Sequence, residues 1–224
     1  MSEALCIAIV GAESTGKTTL ALELREALAE GTGLRVAGVD EWLRRWCEQQ
    51  CRTPAPDEQR SIAEEQQRRI EAAAAVHDIV VCDTTPLMTA VYSRWCFGDT
   101  SLDADAVRWH RRMDSTLLMA LDLPWVPDGL QRDGPYVREP VDARPRAALA
   151  RANVPYRVVY GEGDGRLAQA LLAINSVAAH AEAVRVTGSF ASDKRPWRWA
   201  CDKCSDPDCE HRLFTGLGLG GANL

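Results

Sequence analysis

The sequence predicts a three-layer α/β domain, a parallel sheet between two layers of helices, with a small Cys/His-rich appendage at the C-terminal end. Three observations predict it. Short, continuous apolar runs alternate with longer segments of helical periodicity, the order expected of βαβ crossovers. The first apolar run ends directly in a glycine-rich turn that opens a helix. Beyond about Val186 the composition changes, and three cysteines and a histidine crowd into residues 201–211. The expected division is one domain over 1–186, followed over 187–224 by a linker, the Cys/His segment and a glycine-rich tail.

Each element has its own signal. Leu5–Val10 is apolar throughout and runs into glycine, as a strand covered on both faces does. Leu20, Leu22, Leu24 and Leu28 give helical spacing over 18–29, and the glycines at 31 and 33 stop it. Residues 34–39 form the second strand. Trp42, Trp46 and Cys47 space a helix over 41–51, closed by Pro54 and Pro56. Asp57 is expected to cap a long helix reaching Ala75. A third strand runs from Ile79 to Cys82 and ends at Asp83, before helices over 86–95 and 104–113 and a strand over 116–121. Residues 124–141 mix proline and glycine with Asp128, Arg132, Asp133 and Arg138, and read as a charged, movable loop. A helix over 142–152, a strand over 156–160 and a closing helix over 165–184 complete the order.

Composition narrows the function classes. The chain of 224 residues is 46% hydrophobic and 26% charged, the balance of a globular protein able to bury a full core. Its formal charge of −6 argues against a nucleic-acid partner held by bulk electrostatics. No apolar stretch reaches the roughly 20 residues needed to span a bilayer. The start lacks the basic residues of a secretory signal, so the expected location is the cytoplasm. Cys6, Cys47, Cys51, Cys82 and Cys96 are expected to be buried free thiols.

The turn after the first strand carries the chemistry. Gly11-Ala-Glu-Ser-Thr-Gly16-Lys17-Thr18 matches G-x-x-x-x-G-K-[ST] in full, the P-loop that wraps backbone N–H groups around phosphate oxygens. Gly11, Glu13, Ser14, Thr15, Gly16, Lys17, Thr18 and Thr19 are the expected contacts to ATP. Lys17 is placed to reach the outer phosphates, Thr18 to bind Mg²⁺ through its hydroxyl, and the following helix to aim its positive end at the same anion. Asp83, at the carboxyl end of a strand, either joins Thr18 at the Mg²⁺ or caps the helix after Thr84. Glu41 ends the second strand beside Asp40. It either accepts a proton from an attacking hydroxyl or interacts with its own helix dipole, and Arg44 lies one turn on. Arg132 in the charged loop is expected to close over the transferring phosphoryl group, unless the loop is only a solvated surface.

With these residues in place, the chain resembles the ribosylnicotinamide kinase domain of NadR-type proteins, a branch of the P-loop nucleoside and nucleotide kinases. GAESTGKTTLA, DEWLRRW, VVCDTTPLMTAVYSRWCFG and PWVPDGLQRDG carry the resemblance, which spans about residues 1–186. It implies phosphoryl transfer from Mg-ATP to the 5′-hydroxyl of nicotinamide riboside, with Lys17, Glu41, Asp83 and Arg132 as the catalytic set. Asp40, Glu41, Arg44, Trp125 and Asp128 would contact the substrate. Trp125 either offers its ring to the cationic nicotinamide or packs beneath the loop.

Cys201-x-x-Cys204, Cys209 and His211 offer three thiols and an imidazole, the donor set of a closed tetrahedral Zn²⁺ site. A redox Cys-x-x-Cys pair and unligated thiols are the alternatives. The flanking tryptophans at 197 and 199 suit packing on the domain, or contact with a protein partner or second copy. Readings from two classes follow: a kinase for nicotinamide riboside or another nucleoside or nucleotide, and a regulatory ATP-binding protein acting through its tail.

Overall fold

The computed structural model describes residues 4–126 and 135–181, all within the first of the two units into which the chain divides, Met1–Gly188 and Ser189–Leu224. Five strands form one sheet: β1 (Leu5–Val10), β2 (Val36–Val39), β3 (Ile79–Asp83), β4 (Ser115–Met119) and β5 (Arg157–Val159). Their spatial order is β2-β3-β1-β4-β5, and every pairing is parallel. The expected three-layer class is therefore observed among the described residues.

β1 occupies the centre and explains its own composition. Leu5, Ile7 and Ile9 pack against α1 (Lys17–Thr32) and α7 (Gly163–Ala181). On the opposite face, Cys6 meets Ile70 of α3 (Gln59–Ala74) and Trp109 of α5 (Asp103–His110). Val10 meets Met88 and Val91 of α4 (Pro86–Phe97) and Val141 of α6 (Arg138–Arg151). A strand covered twice needs apolar side chains at every position, so alternation is absent. In α1, Leu20, Leu24 and Leu28 repeat every fourth residue and are buried, while α2 (Trp42–Gln50) buries only Cys47.

Several boundaries move for identifiable reasons. Asp57 does not cap α3: Pro56–Glu58 form a 3₁₀ turn and the helix begins at Gln59. Glu58 supplies the acceptor instead, taking the Ala55 N–H at 2.8 Å while gripping Arg52 with both oxygens. The expected loop over 124–141 yields to a 3₁₀ turn at Pro135–Val137 and to α6, which starts at Arg138, because burial of Val137 and Val141 holds that segment on the sheet. Cys51 and Cys96 are exposed, against expectation, whereas Cys6, Cys47 and Cys82 are buried free thiols. Cys51 lies just past the end of α2 in left-handed backbone, with its thiol 3.6 Å from the Glu48 carbonyl. Among the described residues no helix is long and apolar enough to cross a membrane.

His110 closes α5 in the core. Its Nδ1 lies 2.9 Å from the Thr85 hydroxyl and its Nε2 3.0 Å from that of Thr116, so one ring ties the end of β3 to β4. Burial lowers its pKa to about 4, which keeps it neutral. The unfolded chain takes up a proton near pH 6.5 and the folded chain does not, so this stability is present above pH 6.5 and lost as pH falls towards 4. The expected loss is about 2–3 kcal/mol, and it should be missing from His110→Gln when urea unfolding is measured across that range.

Candidate active site

The phosphate loop is shaped by its own backbone. Gly11, Ser14 and Gly16 have φ of 152°, 54° and 75°, values that L side chains rarely adopt. Gly11 is doubly required, because a Cβ there would lie 3.0 Å from the Met119 Cβ. The Ala12 carbonyl accepts from the Thr15 hydroxyl and the Lys17 ammonium, both at 2.8 Å. Gly16 caps α1 without a side-chain hydrogen bond, which leaves the first amides of the helix open to an anion.

Parallel pairing brings the other groups to this loop. Ile9 of β1 is in register with Asp83 of β3, and the Thr18 hydroxyl donates to Asp83 Oδ2 at 2.6 Å. Asp83 Oδ1 is buried with no hydrogen-bond partner. A hydroxyl, a carboxylate and a buried acceptor atom without a donor are the donor set that a hard divalent cation requires, so the residues fit Mg²⁺. Thr84, immediately after, has φ of 71°, a strained conformation for a β-branched residue.

Glu41 completes the cluster from the turn between β2 and α2. Burial, more than any neighbour, raises its carboxyl above the ordinary range; Lys17 and Arg44 oppose the rise, and Asp83 and Glu13 add to it. Arg44 Nε lies 3.7 Å from the Glu41 carboxylate. Lys17, Glu13, Glu41, Arg44 and Asp83 thus share one electrostatic neighbourhood. Asp40 does not join them, since its carboxylate is 56% exposed and pairs with Arg45. Trp125 is half-buried with an indole N–H that has no acceptor, close in sequence to Val126, whose N–H and carbonyl both engage the Ser14 hydroxyl. Asp128, Arg132 and the quartet Cys201, Cys204, Cys209 and His211 lie outside the described residues. Among the described residues no group of three or more His, Cys, Asp or Glu could hold a metal by itself.

Behind the loop stand one arginine that escaped the sequence reading and one that it placed in a loop. Arg166, 4% exposed in the first turn of α7, donates to the Thr15 carbonyl at 2.6 Å and to Asp122 at 2.5 Å. Arg138, assigned to a charged loop, is 8% exposed at the start of α6 and reaches the Ser14 carbonyl at 3.5 Å. The run of glycines at 161, 163 and 165 just ahead of Arg166 was the available signal, a turn at the carboxyl end of a strand. Beside the loop a cleft of about 460 Å³ is lined by Gly16, Thr19, Leu123, Glu162, Gly163 and Arg166, among others, large enough for part of a nucleotide.

Known proteins share this fold. The family model AAA_28, described as an AAA domain, matches residues 6–166. No curated protein sequence matches the chain. Among solved structures, NadR protein in complex with NR aligns with a TM-score of 0.64 at 20% identity, covering 79% of this chain and 52% of that one. NadR in complex with NAD and AMP-PNP aligns at 0.62 and 17%, covering 79% and 50%. Thymidylate kinase from Ehrlichia chaffeensis aligns at 0.55 and 15%, covering 79% of this chain and 99% of the kinase. The chain thus spans about half the length of the NadR chains it matches. It has the fold of these P-loop proteins, and it belongs to the AAA domain family whose model covers most of its length.

Proposed function

We propose that this chain is an ATP-dependent small-molecule kinase that transfers a phosphoryl group to the 5′-hydroxyl of nicotinamide riboside. The observation that carries the reading is Glu41, a carboxylate only 14% exposed at the carboxyl edge of the sheet, in the field of Lys17 and Asp83. A protein that only sensed nucleotide would not require a largely buried base opposite its phosphate loop. Lys17 and the open amides of α1 would bind the outer phosphates, and Gly11, Glu13, Ser14, Thr15, Gly16 and Thr19 would complete the cradle. Thr18 and Asp83 would hold Mg²⁺, which when bound neutralises charge on the triphosphate oxygens. Glu41, its proton affinity raised by burial, would accept the hydroxyl proton, with Arg44 orienting it. The cleft beside Thr19 and Arg166 would take the nucleoside end of ATP.

The rest of the assignment follows the resemblance. Trp125, Asp128 and Arg132 would meet the acceptor and the transferring group, with the kinase domain ending near residue 186. Likeness to a thymidylate kinase over nearly its whole length supports a second acceptor class, another nucleoside or a nucleotide. An acidic chain with free thiols suits a reducing cytoplasm. The tail at 187–224 would hold one structural Zn²⁺ through Cys201, Cys204, Cys209 and His211, since three thiolates and an imidazole leave no open position. That tail would then offer a contact for a protein partner or a second copy.

Purified protein with Mg-ATP and nicotinamide riboside is expected to yield the mononucleotide and one ADP per product. Lys17→Ala should reduce turnover by at least about 100-fold. ADP release with a different nucleoside or nucleotide and none with the riboside would reassign the acceptor. ATP binding without turnover on any of them would leave the regulatory reading. For the tail, elemental analysis should find about one zinc per chain; a folded, metal-free protein would exclude the site.

A further inference from the structure

Glu41 occupies an unusual position for an active-site acid. It is the N-cap of α2, where a side-chain oxygen ordinarily turns back to accept an N–H of the first helical turn. It makes no such bond. Its carboxylate lies beside Arg44 instead, within the field of Lys17 and Asp83.

The turn is held from outside. Gln66, on α3, is 2% exposed. Its Oε1 accepts the Trp42 N–H at 2.7 Å, and its Nε2 donates to the Asp40 carbonyl at 3.4 Å. One amide therefore grips the residues on both sides of Glu41. One turn further along α3, the Arg69 guanidinium stacks 3.9 Å from the centroid of the Trp42 ring. The same helix fixes the turn through its backbone and through its neighbouring side chain.

Resting on the kinase reading above, we propose that Gln66 is a positioning residue: by holding the Asp40 carbonyl and the Trp42 N–H, it fixes the turn that carries Glu41 and so aims the Glu41 carboxylate at the acceptor hydroxyl. Glutamine suits the task because it donates and accepts at once without charge. A purely apolar residue would pack equally well beside Ile62, Ala63 and Ile70 on the buried face of α3, but it would leave the Trp42 N–H and the Asp40 carbonyl without this partner and release the turn between them.

The test uses the full chain with Gln66→Met, Glu41→Gln and the double variant, Met matching the length of Gln without its acceptor. Wild-type turnover with the riboside and other nucleosides is measured first, so that failure of the kinase reading shows itself separately. Gln66→Met is expected to lower kcat by about 10- to 100-fold with the KM for ATP unchanged, and to add no further loss to Glu41→Gln. Additive losses, or a change confined to the KM for ATP, would overturn the proposal. A crystal structure of Gln66→Met, which needs no substrate, should show the turn from Asp40 to Trp42 shifted and the Glu41 carboxylate moved away from the Arg44 guanidinium; an unmoved turn with the carboxylate still beside that guanidinium would overturn it whatever the acceptor. Gln66→Glu keeps an acceptor and, when burial protonates it, a donor. It should retain clearly more activity than Glu41→Gln, and an equal loss would refute the assignment even if Gln66→Met does not fold.

Discussion

The pairing of β1 with β3 is the constraint from which the rest of the site follows. Their register sets Ile9 opposite Asp83, and the turn that leaves β1 returns Thr18 to the same carboxylate at 2.6 Å. Side chains alternate across a strand, so a slip of one residue would send Asp83 to the opposite face and break that contact. It would also turn Val81 and Ile79 away from the core they share with Ile7 and Leu24. Apolar burial and site geometry therefore specify one register together. The order β2-β3-β1-β4-β5 places the change in winding direction at β1, where parallel sheets open a crevice at their carboxyl edge.

The electrostatics of that edge are one-sided. Glu13 Oε2 and Asp83 Oδ1 are buried acceptors without hydrogen-bond partners, and each such group costs about 1–3 kcal/mol. Glu41 adds a third carboxylate, held above its ordinary proton affinity by burial. Lys17, which moderates Glu41 most, meanwhile donates to the Ala12 carbonyl. Stability has been given up locally, as is usual where positive charge is to be received.

Much of the fold was legible in the sequence because its signals are local. β1, the loop and α1 announce themselves through an apolar run, a fixed glycine spacing and a four-residue leucine repeat. Asp83 and Glu41 could be placed because both end strands, and strand ends in a parallel sheet share an edge. What escaped depends on contacts distant in sequence. Arg166 reaches Thr15 across 151 positions and Arg138 reaches Ser14 across 124, and no periodicity encodes either. Gln66 looks like any polar residue of a charged helix until the β2–α2 turn is seen against it. Asp40 stands apart for the converse reason: its neighbour Glu41 turns inward, and Asp40 points out to Arg45.

Ser14 has a position that few loop residues share. Its hydroxyl meets Val126, which precedes residues 127–134, and its carbonyl meets Arg138, which follows them. Both flanks of that span thus end on one residue in left-handed backbone. Thermodynamic reciprocity then applies. If an anion that tightens the turn around Ser14 also favours these two contacts, then anything that fixes the flanks raises anion affinity by the same factor.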